Sequence, residues 1–449
     1  MAEQVDVVVL GMGVGGETVA GTLAEAGLSV VGVESNLLGG ECPYWACIPS
    51  KMMLRAGEVL AEGRRVPELA GTTTVTPDWK PVAKRIREEA TTDWDDQIAV
   101  DRFIGQGGQF VRGKGRITAP GEVTVGDEAF RAARGVVVSA GSHAAVPPIP
   151  GLGGTPFWTN HEAIETETAP DSLIVLGGGA VGVELAQVFA RFGTQVAVVE
   201  MAERLLPNEE PEAGELLAKA LGRDGVSVHT GAKATAVDYN DGFTVTLDGS
   251  EALSGARLLV ATGRRADPDA LGVSNAGIDD SSGWIAVDEH LRAAPGVWAI
   301  GDITGKGLFT HVAVYQGEIA AADILGRDVP GADYTAMPRA VFTDPEVGGV
   351  GLTEAQARGK GIDVRTVTGG LSTRGFLHGP GGDGLIKLVA DAGRGVLVGA
   401  CSVGPSGGEV LGMLTLAVHQ QVPIERLRQM IYAYPTFHRA VHDALGELG

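Results

Sequence analysis

Cysteine is scarce in this sequence, with three residues in a chain of 449. That excludes a disulfide-stapled secreted scaffold, which is dense in cysteine. Positive charge is short as well. Thirty-five Lys and Arg face 56 Asp and Glu, a net charge of −21. Nucleic acid and anionic membrane both need a positive surface, so neither is expected as a partner. No apolar run reaches the length of about 18 residues that would cross a bilayer. No basic region precedes the first apolar run, Val5–Leu10. No secretory leader is therefore expected, and the cytoplasm is the expected compartment.

What is present is a foldable chain of ordinary charge content. The length suggests about three domains, and 44% hydrophobic residues can fill large cores. The 68 glycines punctuate turns throughout and form no low-complexity tract.

Two of the three cysteines lie in Leu38–Lys51, LGGECPYWACIPSK, as Cys42 and Cys47. Their spacing puts the sulfurs about one helical turn apart, close enough to bridge if the backbone at Cys42 is not fully helical. Pro43 suits a first helical position. A cysteine at a helix N-terminus feels the positive end of the dipole, which lowers a thiol pKa. The pair reads as a redox-active disulfide. An inert bridge and half of a zinc site are the alternatives; the zinc reading wants a second Cys/His pair, which the sequence lacks.

Val5–Leu10 reads as a buried strand feeding Gly11-Met12-Gly13-Val14-Gly15-Gly16, a G-x-G-x-x-G turn. A helix to Ala26 follows, then a strand from Ser29 ending at Glu34. Glycines of this pattern let backbone N–H groups and a helix N-terminus approach a pyrophosphate, and the terminal acid accepts from ribose. The same unit returns as strand Leu173–Leu176, turn Gly177-Gly178-Gly179-Ala180-Val181-Gly182, a helix to Phe192, and a strand ending at Glu200. Gly11 and Gly177, Gly16 and Gly182, Gly27 and Gly193, Glu34 and Glu200 are all 166 residues apart. Two dinucleotide sites are therefore expected, each in a Rossmann-like domain. With a cysteine pair they make an electron path from nicotinamide to flavin to disulfide. FAD belongs to the first site, which the cysteine segment follows directly, and the nicotinamide nucleotide to the second.

On these residues the chain resembles the class I pyridine nucleotide–disulfide oxidoreductases, relatives of dihydrolipoamide dehydrogenase, glutathione reductase and mercuric reductase. The family's GGTCxxxGCIPSK corresponds to GGECPYWACIPSK here. Val138–Ser142, containing Gly141, is similar to its ATGS, and Val260–Arg265, containing Gly263, to its ATGR. Val297–Asp302 resembles the segment whose aspartate, preceded by Gly301, holds the flavin ribityl chain. Pro338 to Glu354 resembles the opening of the dimerisation domain.

The resemblance implies roles. Cys47 would be the sulfur beside the flavin and Cys42 the interchange thiol. Lys51 would lie near flavin N5 with Glu184 as its ion-pair partner. Thr310-His311-Val312-Ala313 would open a helix aimed at the flavin, its positive end stabilising charge on the reduced ring. Glu200 favours NAD(H) over NADP(H), because a carboxylate repels a 2′-phosphate. Cys401, in the apolar run Val398–Val403, reads as a buried inert thiol. A homodimer is implied, since the family completes its site across subunits.

The pattern also breaks. The family's His-Pro-Thr-x-x-Glu is here Tyr434-Pro435-Thr436-Phe437-His438-Arg439. A phenol is a poor base near neutrality but can donate a proton. Either His438 moves the proton, or the substrate disulfide needs little help, or the acceptor is not a disulfide. Mercuric reductases share the tyrosine, yet the cysteine pair that normally ends them is not found before Gly449. Tyr44 and Trp45 beside the cysteines suit a pocket for a flat substrate or simple packing.

The expected architecture is α/β: an FAD domain (1–148 with 270–335), a nicotinamide domain (149–269) and a C-terminal α+β dimerisation domain (336–449). The expected function is NAD(P)H-dependent reduction, through FAD and Cys42–Cys47, of a disulfide or another two-electron acceptor. Mercuric-type metal ion reduction, quinone reduction and a non-catalytic NADH-sensing flavoprotein are the rivals.

Overall fold

A computed structural model describes residues 2–448. The chain divides into two compact units. One comprises the chain up to Pro49 together with Lys84–Ala145 and Arg264–Asp333; the other comprises Ser50–Ala83, Val146–Gly263 and the chain from Tyr334 onward.

The first unit is built on a sheet in which Val297–Ala299, Glu128–Val138, Glu3–Leu10, Val30–Glu34 and Gln109–Arg112 lie side by side and parallel. Continuous apolar runs suit strands covered on both faces. Val7, Val8, Val9 and Leu10 are accordingly all within 1% of full burial, each contributing about 1.5–3 kcal/mol by leaving water. Alternate side chains enter separate clusters, Val7 and Val9 with Phe103 and Leu23, Val8 and Leu10 with Phe130 and Ile117. The helices Val14–Glu25 and Thr310–Ile324 pack on one face. Gly15 permits that approach: a Cβ there would stand 2.9 Å from the Ala313 carbonyl oxygen.

The second unit holds a parallel sheet in the order Ser227–Thr230, Gln195–Glu200, Ser172–Leu176, Arg257–Val260. It also holds a three-stranded antiparallel sheet between Ala234 and Gly255. A five-stranded antiparallel sheet takes its strands from Pro338 to Gly404, with helices Gly407–His419 and Phe437–Glu447 packed against it. No helix among the described residues is long and apolar enough to cross a membrane.

Candidate active site

The two glycine turns fold alike. Glu34 ends its strand and accepts the N–H groups of Met12 at 2.9 Å and Asn36 at 2.8 Å. Glu200 accepts those of Gly178 at 2.6 Å and Ala202 at 2.7 Å. Each bond in one copy lies 166 residues from its counterpart. A carboxylate has about four acceptor positions, so each acid keeps capacity for a ribose. The glycines divide into two kinds. A Cβ on Gly16 or Gly182 would stand 2.0 Å from the carbonyl oxygen of Gly11 or Gly177, so these serve close packing of helix on turn. A Cβ on Gly179 would meet nothing within 4 Å, and one on Gly13 only Gly40 Cα at 3.9 Å. That open space before a helix N-terminus suits a pyrophosphate, and both turns fit the dinucleotides the sequence suggests. Gly11 (φ +94°) and Gly177 (φ +110°) occupy conformations other residues avoid.

The cysteine segment is not one helix. Gly39 and Gly40 take positive φ (+108° and +69°), a short helix spans Glu41–Tyr44, and the chain breaks at Trp45 before the helix Cys47–Leu69. Pro43 is thus the third residue of its helix, not the first. The loop is stitched to the first glycine turn: Gly39 N–H donates to the Met12 carbonyl at 2.7 Å, and Gly39 bridges Gly13. Cys42 and Cys47 are hydrogen-bonded to each other, and Cys47 Sγ lies 3.3 Å from Thr310 Oγ1. Thr310 opens the helix Thr310–Ile324, in which Ala313 also lies. The Cys42 thiol is raised, not lowered: its bond to Cys47 and its burial both hold the proton, while Thr310 opposes them. Tyr44 and Trp45 pack inside, 7% and 8% exposed, with Tyr44 Oη donating to the Leu38 carbonyl at 3.2 Å. Their bulk packs as core.

Charged groups cluster beside this loop. The Arg264 Nε donates to Ser142 Oγ at 2.7 Å, and its Nη2 lies 3.0 Å from Glu41 Oε2. Ser142 Oγ donates in turn to Asp302 Oδ2 at 2.5 Å. Burial pushes the Asp302 carboxyl up, against the pull of Ser142 and Arg264. Gly141 and Gly301 (φ +68° and +75°) shape the two backbones here. Gly263 (φ +127°) precedes Arg264 at the end of the other unit's segment. Thr310 at Cys47 and Glu41 at Arg264 escaped the sequence reading, because their partners are hundreds of residues away.

In the second unit Lys51 Nζ lies 2.8 Å from Glu184 Oε2, with the lysine 4.7 Å above the Phe342 ring. The other Glu184 oxygen accepts the Phe342 N–H at 2.8 Å. Tyr434 is 68% exposed and its hydroxyl reaches Thr373 Oγ1 at 3.3 Å. His438 is half-buried in the first turn of the helix Phe437–Glu447, and Arg439 pairs with Asp443 on that helix. Cys401 is buried, and burial raises its thiol.

Residues 5–317 match the family model of the pyridine nucleotide-disulphide oxidoreductases, and residues 337–445 match that family's dimerisation domain. The chain belongs to this family. A dihydrolipoyl dehydrogenase of Chlorobaculum tepidum is 34% identical over 99% of this chain and 97% of its own length. A mercuric reductase of Acidithiobacillus ferrooxidans is 33% identical over 97% and 81%. Among solved structures, the Cu(II) complex of the HOCl-induced flavoprotein disulfide reductase RclA from Escherichia coli superposes with a TM-score of 0.88 at 25% identity, each chain covered in full. As a pyridine nucleotide–disulfide oxidoreductase, the chain is an enzyme that uses FAD, a pyridine nucleotide and a redox-active cysteine pair.

Proposed function

We propose that Cys42 and Cys47 are the redox pair and that the enzyme uses NADH to reduce a disulfide. The observation that carries this is the mutual hydrogen bond of the two thiols on a loop bonded directly to the first glycine turn. Gly11, Gly13, Gly16, Glu34 and Asp302 would hold FAD, with Gly141, Gly301, Ala313 and Lys51 beside it. Gly177, Gly179, Gly182, Gly263 and Glu200 would hold NADH, in domains divided at 1–148 with 270–335, 149–269 and 336–449. When bound, the flavin supplies a path for the nicotinamide electron pair to the cysteine bridge.

Cys42 as thiolate attacks one acceptor sulfur and expels the first thiol. Cys47 then attacks the Cys42 sulfur, expels the second thiol and restores the bridge. Two electrons leave the dithiol, and each departing sulfur takes a proton. Tyr434, with His438 nearby in sequence, would supply protons from the partner subunit of a homodimer. Ile431, at 99% exposure, Phe376 and Leu416 are exposed apolar residues of the dimerisation segment, suited to burial in that dimer. Work in the cytoplasm agrees with NADH as reductant.

NADH is favoured because Arg204, the nearest arginine after Glu200, points its guanidinium at the Pro207 and Glu209 carbonyls. It makes a poor clamp for a 2′-phosphate there. The second reading, reduction of a soft metal ion, is favoured by Tyr434 in place of the usual histidine. The test is anaerobic titration with NADH followed by turnover with lipoamide, small disulfides, mercuric ion and quinones. A long-wavelength band at the two-electron stage, lost in Cys47→Ser, is expected. Turnover with quinones alone, kept in full by Cys42→Ser, would overturn the proposal.

A further inference from the structure

Between Ala90 and Gln97 the first unit carries a strained turn that ends on one carboxylate. A π-helical turn spans Ile86–Ala90, after which Thr92, Asp93 and Trp94 take φ of +52°, +56° and +56°. Three successive non-glycine residues in the left-handed region are rare, and a β-branched threonine there is a true outlier. Such strain persists where surrounding structure fixes it, often near functional groups. Here Thr91, fully buried, holds the turn by donating to the Ile86 and Arg87 carbonyls.

The turn delivers Asp96. This residue stands at the N-cap of the helix Gln97–Gly105, yet its side chain makes no capping bond. Asp95 Oδ1 takes the Gln97 N–H instead, at 2.8 Å. The Asp96 carboxylate, in a residue 8% exposed, reaches across to accept the N–H of the fully buried Leu38 at 2.6 Å. Arg112 Nη2 donates to the same oxygen at 2.5 Å. Leu38 is the last residue before Gly39 and Gly40, whose backbone would otherwise be the loosest part of the loop carrying Cys42. Its carbonyl is held from the other side by Tyr44. The two successive peptides that flank Leu38 are therefore held, the first through its N–H by Asp96 and the second through its carbonyl by Tyr44, two positions after Cys42.

We propose that Asp96 is a positioning residue for the redox reaction: with Tyr44 it clamps the backbone of Leu38 on both sides and so fixes where the Cys42 sulfur stands relative to Cys47. The inference rests on the reading of Cys42–Cys47 as the redox pair. A misplacement near 1 Å is enough to slow a reaction by orders of magnitude, so the effect falls on chemistry and leaves NADH binding, at the second glycine turn, alone.

The test uses the holoenzyme and its Asp96→Asn and Tyr44→Phe variants. The readouts are the long-wavelength band on anaerobic NADH titration, the reduction potential of the cysteine pair, and kcat and KM with the best acceptor. Asp96→Asn is expected to diminish the band, shift the potential and lower kcat about tenfold, with KM for NADH unchanged. Tyr44→Phe removes only the hydroxyl and should move the same readouts by a smaller factor, which keeps the test open if Asp96→Asn does not fold. A lower melting temperature with wild-type band, potential and kcat in both variants would make the clamp merely structural and overturn the proposal. If Cys42→Ser keeps full turnover, the redox-pair reading itself fails, and the clamp falls with it.

Discussion

Two glycines of one motif should respond in opposite ways to the same added methyl group. Gly179 and Gly182 both belong to the second glycine turn. At Gly179 the backbone (φ −78°, ψ −180°) suits alanine, and the new Cβ would find no atom within 4 Å. Gly179→Ala should therefore leave the fold intact and fill the space where a pyrophosphate approaches. A tenfold weakening of nucleotide binding corresponds to about 1.4 kcal/mol, and KM for NADH should rise at least that much. At Gly182 a helical alanine would gain about 1 kcal/mol in propensity, but its Cβ would stand 2.0 Å from the Gly177 carbonyl oxygen. Overpacking of this kind costs about 1–3 kcal/mol or more, and backbone on both sides leaves nothing to yield cheaply. For a domain of this size a net loss near 2 kcal/mol lowers Tm by roughly 4–8 °C. Thermal unfolding of the variants, with steady-state kinetics in NADH, separates the two effects. An unchanged KM in Gly179→Ala would refute the assignment of this turn to a nucleotide.

Lys387, 3% exposed, reaches Glu210 at 2.8 Å, Glu212 at 2.8 Å and Glu354 at 3.1 Å; Lys387→Met strands a buried Glu210 carboxylate and should cost about 3–5 kcal/mol in urea unfolding. Burial favours the neutral acid at Asp344, but Arg191 and Arg65 outweigh it and hold its carboxyl below the ordinary range. Such a group stabilises above its unfolded value near 3.9, and its contribution is lost as pH falls through the lower folded value. Asp344→Asn should thus lower the urea midpoint at pH 7, the gap to the wild type closing only below about pH 4; a constant gap would show that charge is not the cause. Tyr434→Phe should reduce kcat with a disulfide acceptor roughly 10²-fold and leave the anaerobic NADH titration unchanged, whereas an unaltered kcat would move the proton role to His438.

The family, the fold class and the general reaction were legible because their signals are local. A β-branched run, a glycine at positive φ and an acid at a strand end each act within about thirty residues, and the 166-residue repeat states them twice. Glu34 and Glu200 even take equivalent backbone partners. The break at Trp45 was missed although Pro49 signals it. Pro43 suits a helix start, but a helix continued from there would meet Pro49, which has no N–H for the Trp45 carbonyl and whose ring clashes with it; the second helix therefore restarts at Cys47, with Pro49 in its first turn. Contacts that cross long stretches of chain left no pattern. Cys47 meets Thr310, Leu38 meets Asp96 and Glu41 meets Arg264 through tertiary folding alone. The direction of the Cys42 thiol has a different cause: a helix dipole would lower it, but the neighbouring Cys47 sulfur and burial together raise it.

The likeness of the two turns sharpens the question of what makes one of them the redox copy. The strand after each turn is followed by a segment that folds back and bonds it, Gly39 N–H to the Met12 carbonyl in the first and Leu206 N–H to the Gly178 carbonyl in the second. Both return segments use positive φ, at Gly39 and Gly40 (+108° and +69°) and at Leu206 (+48°). Beyond that shared bond they diverge. The first continues into Glu41, Cys42 and the helix from Cys47, with thiols held against Thr310. The second continues into Glu209 and Glu210, which pair with Arg339 at 2.7 Å and Lys387 at 2.8 Å on strands of the five-stranded sheet. On the proposed assignment, one backbone device would serve chemistry in one copy, while in the other it leads into the ion pairs of Glu209 and Glu210. The phosphate-binding geometry cannot tell the two sites apart, so the assignment of FAD to the first rests on the side chains its return segment carries.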